Sequence, residues 1–254
     1  MIKQKWLFPL SDCHLSNLMI FMNTIFITGA NRGIGLELTK QLLKEGNKIM
    51  AGCRNMEAAA ELGELQKEFD HLHLVELAVD DEDSVVSCFK KLSDDNQKID
   101  LLLNNAGIID WTDLNAVTFD SLEKVYRTNL IGALMVLRSS IPCLRRSEQP
   151  LVVNLSSRLG SISLRGNTQL GGAIAYQCSK AALNMLTKQS AIDLSAIGIR
   201  VISMSPGWVR TEMGGSDAKY EVNESVRLML QSLNNLQPGD SGIFLGEDGV
   251  EIAW

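Results

Sequence analysis

The sequence is poor in the residues that build metal sites and disulfide frameworks. Its 254 residues contain five cysteines and three histidines, scattered without a CxxC pair or any Cys/His ligand spacing. An odd number of scattered thiols does not favour a disulfide framework. We therefore predict no metal site and a reducing, cytoplasmic location. The thiols are Cys13, Cys53, Cys88, Cys143 and Cys178.

Basic charge and long apolar runs are also scarce. The 24 basic residues are outnumbered by 30 acidic ones, so the chain offers no basic stripe for nucleic acid and no polybasic patch for a membrane. No segment has the uninterrupted apolar length that a membrane span requires. We expect a protein that acts on small molecules and binds neither nucleic acid nor membrane.

The first 21 residues have early lysines followed by apolar residues, which is the rough order of a signal peptide. Ser11, Asp12 and His14 interrupt the apolar part, and no small-residue cleavage site follows. We interpret residues 1–21 as an N-terminal extension that is dispensable, with Met22 as an alternative start. Residues 22–254 are then expected to form a single domain that binds a dinucleotide and carries the catalytic residues.

Short apolar segments alternate with helical patterns in the rest of the chain. Segments such as LVVNL and IDLLLN are almost wholly apolar, which is typical of parallel strands covered by helices on both faces. The pattern predicts a single-domain α/β fold, a Rossmann-like doubly wound parallel sheet with helices on both faces. The predicted strands are residues 24–28, 48–53, 72–79, 99–104, 151–155, 201–205 and 243–245, and the predicted helices begin at Ile34, Glu57, Glu82, Phe119, Tyr176 and Glu224.

A glycine-rich segment, TGANRGIG at residues 28–35, directly follows the first predicted strand and opens a helix. Gly29, Gly33 and Gly35 permit a tight turn and a close approach of the backbone to a pyrophosphate, whose charge lies at the helix N-terminus. A plain strand-to-helix turn is the structural alternative. The strand-turn-helix context favours nucleotide binding.

The segment AYQCSK, residues 175–180, begins another predicted helix. Residues four apart share a helix face, so the phenol of Tyr176 and the ammonium of Lys180 are neighbours. A cation nearby stabilises a phenolate, and moving a phenol pKa from about 10 to neutrality takes roughly three units, or about 4 kcal/mol. Cys178 faces away from both side chains on such a helix and is interpreted as a packing residue.

These motifs, taken in order, resemble those of the short-chain dehydrogenase/reductase family. The glycine segment is similar to its TGxxxGxG, LLNNAG at residues 102–107 to its NNAG strand end, and SPGWVRT at residues 205–211 to its PG segment. Asn129 in RTNLIGAL, Ser157 in NLSS and the Tyr/Lys pair resemble its active-site residues. The segment NLSSRLGSIS, the insertion before Tyr176 and the terminal DGVEIAW are similar to the carbonyl reductase branch that includes insect sniffer and bacterial C-factor.

The resemblance implies hydride transfer with a nicotinamide cofactor. Tyr176 is the implied proton donor, Ser157 holds the carbonyl oxygen, and Lys180 binds the nicotinamide ribose, with Asn129 linking it to solvent through water. Taken alone, Asn129 and Ser157 have ordinary alternatives as a cap and a turn residue. The implied cofactor-binding residues are Gly29, Asn31, Arg32, Gly33, Ile34, Gly35, Arg54, Val79, Asn105, Ala106, Gly107, Tyr176, Lys180, Pro206, Gly207, Val209 and Thr211.

The end of the second predicted strand indicates which cofactor is preferred. An acidic side chain there would bind the adenosine ribose, but the chain has Arg54, and Arg32 lies in the glycine motif. Two guanidinium groups suit a 2′-phosphate, so we expect NADP(H) in preference to NAD(H), with a solvent-facing position of either arginine as the alternative. The family usually has an aspartate at the position of Ala78 for the adenine edge; either Asp80 substitutes for it or the contact is absent.

Two functions follow from the sequence. The first is an NADPH-dependent carbonyl reductase that acts on an aldehyde, ketone or quinone, with a small carbonyl or alcohol as its partner. The second is a nucleotide-binding signalling or scaffold protein of the same fold in which catalysis is unused. The intact Ser157, Tyr176 and Lys180 set favours the enzyme. The resemblance leaves both a homodimer and a homotetramer open, formed through the helices after Phe119 and Tyr176.

Overall fold

The computed structural model describes residues 24–57, 59–166 and 171–254. The proposed extension at residues 1–21 therefore lies outside the described residues. Seven strands form one parallel sheet in the order β3-β2-β1-β4-β5-β6-β7. The strands are β1 Thr24–Thr28, β2 Lys48–Cys53, β3 Leu72–Glu76, β4 Leu101–Asn104, β5 Leu151–Leu155, β6 Arg200–Met204 and β7 Phe244–Leu245.

The sequence pattern located every one of these strands. The predicted bounds of β1, β2 and β5 are confirmed, and all residues of β1 and β5 are buried. The third predicted strand was too long, because β3 ends at Glu76 and the chain then leaves the sheet towards the cap of the next helix. The predicted fold class, a doubly wound parallel sheet, is confirmed.

Helices cover both faces of the sheet. On one face α1, α2 and α7 pack over the inner side chains of the sheet, and on the other face α3, α5 and α6 do so. The helices are α1 Gly33–Lys44, α2 Ala60–Glu68, α3 Glu82–Asp94, α4 Phe119–Tyr126, α5 Ala133–Leu144, α6 Ile174–Asp193 and α7 Val222–Asn234. Helix α2 begins at Ala60 rather than at Glu57.

The helix predicted from Phe119 is interrupted in its middle by a π-helical turn. This turn, Arg127–Gly132, joins α4 to α5 without a break in the helical path. A π turn adds a residue to the helical turn and is frequent at functional sites. A Cβ on Gly132 would lie 2.7 Å from the carbonyl oxygen of Val79, so glycine is required for the helix to approach the chain after β3. The π turn contains Asn129.

The strand order reverses between β1 and β4, where consecutive crossovers run to opposite sides. Ligands of doubly wound sheets bind in the crevice at the carboxyl ends of the strands at such a point. The fold therefore places the ends of β1 and β4 where a dinucleotide is expected. Within the part of the chain that the structure describes, no helix is both long and apolar enough to cross a membrane.

Candidate active site

The glycine motif forms the turn between β1 and α1. Gly29 has φ +64° and Gly33 has φ +52°, a left-handed conformation that favours glycine. A Cβ on Gly35 would lie 2.2 Å from the carbonyl oxygen of Gly29, so α1 and the turn touch through their backbones. The open N-terminus of α1 and this close turn fit a pyrophosphate, as the sequence predicted.

We expect Gly35→Ala to lower the melting temperature and to weaken binding of NADPH. The new methyl group meets backbone, which cannot move aside, and overpacking of this kind costs about 1–3 kcal/mol. For a chain of this size that corresponds to a drop of roughly 2–12 °C, measured by thermal melting. Gly63→Ala in α2 is the matched control, because a Cβ there has open space. Equal melting temperatures for the two variants would contradict the close contact.

The end of β4 is bound to the glycine turn by hydrogen bonds. The side-chain amide of Asn105 donates to the carbonyl oxygens of Thr28 (2.8 Å) and Gly29 (3.0 Å). The Thr28 hydroxyl oxygen accepts from the backbone N–H groups of Asn105 and Ala106, both at 3.0 Å. These contacts fix two neighbouring strand ends as one surface. Sequence reasoning missed Thr28, although its place as the last strand residue before the glycine motif was visible.

A buried polar network continues across the sheet from Asn104. Its side-chain amide donates to the Asn154 side-chain oxygen at 2.9 Å, and Asn154 donates to the Thr187 hydroxyl at 2.9 Å. Ser203 also bonds Thr187, at 2.8 Å. Among the described residues the Asn104 side-chain oxygen has no hydrogen-bond partner, whereas the other contacts of the network join specific atoms of neighbouring elements. Here the network fixes α6 against β4, β5 and β6, and sequence reasoning did not find it.

Asn129 is buried in the π turn, and its side chain bonds the chain after β4. Its amide nitrogen donates to the Ile108 carbonyl oxygen (2.9 Å) and to the Ser179 hydroxyl (3.0 Å), and its oxygen accepts from the Ile108 N–H (2.8 Å). The side chain thus joins α6 to the end of β4.

Ser157, Tyr176 and Lys180 meet at the ends of β5 and α6. The Ser157 hydroxyl accepts from the Leu159 N–H at 3.1 Å and is hydrogen-bonded to the Tyr176 phenol. The Lys180 ammonium lies 5.6 Å from the centre of the Tyr176 ring and donates to the Leu155 carbonyl oxygen at 2.6 Å. Tyr176 is 7% exposed and Lys180 4% exposed. The structure therefore brings the predicted catalytic side chains together in a buried pocket.

Burial shifts the pKa values of Tyr176 and Lys180 in the directions that disfavour their charged forms. It raises the pKa of Tyr176 to about 12, an effect that the Ser157 hydrogen bond partly offsets. It lowers the pKa of Lys180 to about 8. The sequence predicted a lower phenol pKa, and the direction in the structure is the opposite because burial of Tyr176 raises the pKa. At neutral pH the phenol keeps its proton, as a proton donor requires.

Helix α6 is held in register by close backbone contacts at its start. Ala173, the residue before the helix, has φ +49°. Its N–H donates to the Trp111 carbonyl oxygen at 3.3 Å, and the Ile174 N–H donates to that of Thr112 at 3.2 Å. A Cβ on Gly160 would lie 2.7 Å from the backbone carbon of Lys180. The chain after β4 and the turn after Ser157 thus both set where Tyr176 and Lys180 stand.

The PG segment follows β6 at the same edge of the sheet. Gly207 has φ +78°, and Val209 is buried and pairs with Tyr220 in a short bridge. A Cβ on Gly33 would lie 3.5 Å from the Thr211 methyl group, so this segment reaches the glycine turn. The segment therefore closes the crevice from the side opposite the end of β4.

The two arginines of the cofactor prediction lie on the surface of the crevice. Arg32 is 65% exposed and ion-paired with Glu212, and Arg54 is 75% exposed and lies 3.5 Å from the Asp80 carboxylate. Exposed ion pairs of this kind contribute about 0–1 kcal/mol, so either guanidinium can turn to a phosphate. The Asp80 carboxylate faces Arg54. The Ala78 N–H donates to the Ser84 hydroxyl at 3.0 Å.

Most predicted site residues converge on one edge of the sheet. Cys178 does not belong to the site; it faces away as predicted, but it is exposed, so its interpretation as a packing residue was wrong. The residues at the carboxyl edge are Gly29, Asn31, Arg32, Gly33, Ile34 and Gly35 after β1, Arg54 after β2, Val79 after β3, Asn105, Ala106 and Gly107 after β4, Ser157 after β5, and Pro206, Gly207, Val209 and Thr211 after β6.

Comparison with known proteins agrees with this geometry. The profile of the family described as short chain dehydrogenase matches residues 23–221. C-signal of Myxococcus xanthus is 39% identical over 157 residues, which cover 61% of this chain and 93% of that protein. The NADPH-bound carbonyl reductase from chicken fatty liver is 35% identical with a TM-score of 0.87, covering 92% of this chain and 99% of that one. Carbonyl reductase Sniffer of D. melanogaster is 35% identical with a TM-score of 0.86, covering 92% and 100%. The expected similarity to the sniffer and C-factor branch is confirmed.

Proposed function

The chain belongs to the short-chain dehydrogenase family, and on that premise we propose that it is an NADPH-dependent carbonyl reductase with Asn129, Ser157, Tyr176 and Lys180 as its catalytic set. The observation that carries the proposal is the buried meeting of Ser157, Tyr176 and Lys180 at the carboxyl edge of the sheet. A protein that only binds a nucleotide has no need of this buried set. The proposed substrates are aldehydes, ketones or quinones.

Ser157 and Tyr176 are proposed to act on the carbonyl oxygen. When bound, the reduced nicotinamide supplies the hydride for the carbonyl carbon. The Ser157 hydroxyl donates a hydrogen bond to the oxygen and stabilises the negative charge that develops there. The phenol of Tyr176, protonated at neutral pH, gives its proton to the same oxygen. Both hydroxyls already lie within one hydrogen bond of each other.

Lys180 and Asn129 are proposed to support this proton transfer. The Lys180 ammonium stabilises the phenolate that Tyr176 leaves behind, because a cation near a phenolate favours the charged form. Lys180 and Asn129 both lie against Gly107, because a Cβ there would lie 3.5 Å from the Lys180 ammonium nitrogen and 3.4 Å from the Asn129 oxygen. A ribose held above Gly107 would be within reach of Lys180. Asn129 keeps α6 and the end of β4 together.

The cofactor preference is proposed from Arg32 and Arg54. We expect the parent protein to bind NADPH more tightly than NADH, and Arg54→Asp to reduce or reverse that preference. Loss of a charged phosphate contact costs about 1.5–3 kcal/mol, which is about tenfold or more in affinity. Arg146→Asp is the matched control, because Arg146 is an exposed arginine after the C-terminal end of α5 and contacts Ser93 near the C-terminal end of α3, at the opposite edge of the sheet. Binding titrations with both cofactors test this, and equal affinities in the parent would overturn it.

A signalling or scaffold role without catalysis is the second candidate function. The similarity to C-signal of Myxococcus xanthus motivates it. The discriminating experiment measures NADPH oxidation by the purified protein with a panel of aldehydes, ketones and quinones. Turnover that disappears in Ser157→Ala supports the reductase, whereas cofactor binding without turnover of any carbonyl supports the alternative.

The four described cysteines are free thiols, which is consistent with the proposed cytoplasmic location.

A further inference from the structure

The C-terminal motif DGVEIAW has no part in the chemistry described above, yet it lies beside the active site. After β7 the chain turns and runs back antiparallel to that strand: the Gly246 N–H donates to Val250 (2.8 Å) and the Ile252 N–H to Phe244 (2.7 Å). We call residues 246–254 the return segment. Away from β7 it contacts the loop that follows Ser157, the PG segment and α7, where the Ser232 hydroxyl donates to the Glu247 carbonyl oxygen at 2.9 Å.

The first contact is an ion pair directly next to Ser157. The Arg158 guanidinium lies 3.2 Å from the Glu247 carboxylate and 3.5 Å from that of Asp248. The Glu247 side chain is only 5% exposed, so the paired Arg158 cation is needed to offset the cost of burying the negative charge. A Cβ on Gly246 would lie 2.4 Å from the guanidinium nitrogen, so Arg158 rests against the backbone of the return segment.

The second contact holds the far side of the same loop. The Ser161 hydroxyl donates to the Ala253 carbonyl oxygen at 2.5 Å, and the Ser163 N–H donates to that of Trp254 at 2.8 Å. The Trp254 ring stacks on Phe244 at 5.6 Å, with the Lys188 ammonium 5.5 Å from its centre. The last two residues of the chain are thus anchored on the sheet and bonded to the loop.

A third contact joins Glu247 to the PG segment. A Cβ on Gly207 would lie 2.9 Å from the carboxyl carbon of Glu247, and the Ser205 hydroxyl accepts from the N–H groups of both Arg158 and Gly207 at 3.3 Å. Glu247 therefore stands between the turn after Ser157 and the segment that closes the crevice. One buried carboxylate thus contacts both Arg158, after Ser157, and the PG segment at Gly207.

We propose that residues 158–166, which directly follow Ser157 and are called the substrate loop here, line the site of the carbonyl substrate, and that the return segment is a brace for this loop. Glu247 and Trp254 are then positioning residues that determine how the substrate is held. The proposal rests on the proposed reductase function.

Helix α6 also holds this loop, because Asn184 donates to the Gly160 carbonyl oxygen at 3.3 Å and Arg165 donates to Gln177 at 2.8 Å. The return segment supplies the contacts on the other side of the loop, at Arg158, Ser161 and Ser163. A misplacement of about 1 Å at a reacting centre can cost about a hundredfold in rate.

The kinetic test compares Glu247→Gln and Trp254→Ala with the control Val250→Ala, whose side chain is exposed in the same segment. We expect both variants to lower kcat/KM for carbonyl reduction by about tenfold to a hundredfold, mainly through a higher KM, while the Kd for NADPH stays within about twofold. Trp254→Phe keeps the stacking and should retain most of the parent kcat/KM. A loss of kcat/KM that only parallels a loss of NADPH affinity or of melting temperature would overturn the brace.

A second measurement is independent of turnover. Amide hydrogen exchange in residues 158–166 should be faster in Trp254→Ala than in the parent, with α1 unchanged as an internal reference. Unchanged exchange in the loop overturns the brace. If the parent protein turns over no carbonyl at all, the reductase proposal fails, and the exchange experiment still decides whether the return segment holds the loop.

Discussion

Tyr176→Phe is expected to lower kcat for carbonyl reduction by about a hundredfold to ten-thousandfold, because it removes a general acid. The substitution keeps the ring that fills the buried pocket and removes only the phenol oxygen, whose hydrogen-bond partner is Ser157. Affinity for NADPH should change less than about twofold, because the ring's packing is kept. The effect is therefore expected in the chemical step and not in cofactor binding.

The measurement is steady-state turnover of a carbonyl with NADPH, together with a titration of the cofactor. Tyr126→Phe is the matched control, because Tyr126 is a half-buried tyrosine of α4 outside the proposed catalytic set. The control should keep the kcat of the parent. If Tyr176→Phe retained near-full activity, Tyr176 would be an ordinary core residue and the proposed proton donor would be wrong.

Lys180→Met is expected to affect both catalysis and cofactor binding. The ammonium is buried beside the phenol and donates to the Leu155 carbonyl oxygen, and it lies close to Gly107 in the NNAG segment. Loss of a charged hydrogen bond costs about 1.5–3 kcal/mol, so the Kd for NADPH should rise about tenfold or more. The value of kcat should fall as well, because the phenolate left by proton transfer loses its stabilising cation.

The pH profile separates the charge of Lys180 from its bulk. Burial lowers the pKa of Lys180 to about 8, so the ammonium is charged below that pH and loses its charge as the pH rises through it. The parent rate should therefore fall above about pH 8, and this fall should be missing from the residual activity of Lys180→Met. Lys90→Met, at an exposed ion pair of α3, should keep the parent profile. An unchanged Kd and profile in Lys180→Met would remove Lys180 from the mechanism.

The sequence by itself determined those features that depend on local pattern. Apolar segments of strand length between helical patterns are enough to indicate a parallel sheet covered on both faces, and β1, β2 and β5 have the predicted bounds. Gly29 and Gly33 adopt the left-handed conformation that a glycine turn requires. That Ser157 and Tyr176 act together was implied by the resemblance of their motifs to those of the short-chain dehydrogenase/reductase family.

Only the tertiary structure decided how these residues are held and charged. The pKa values of Tyr176 and Lys180 depend on burial by elements distant in the sequence. Their four-residue spacing on a helix therefore could not predict the direction in which each pKa shifts. The π turn that contains Asn129 is a local backbone change without a compositional signature. The contact of Arg158 with Glu247 joins residues that are far apart in the chain, and it exists because β5 and β7 both border β6 and deliver their ends to the same edge of the sheet.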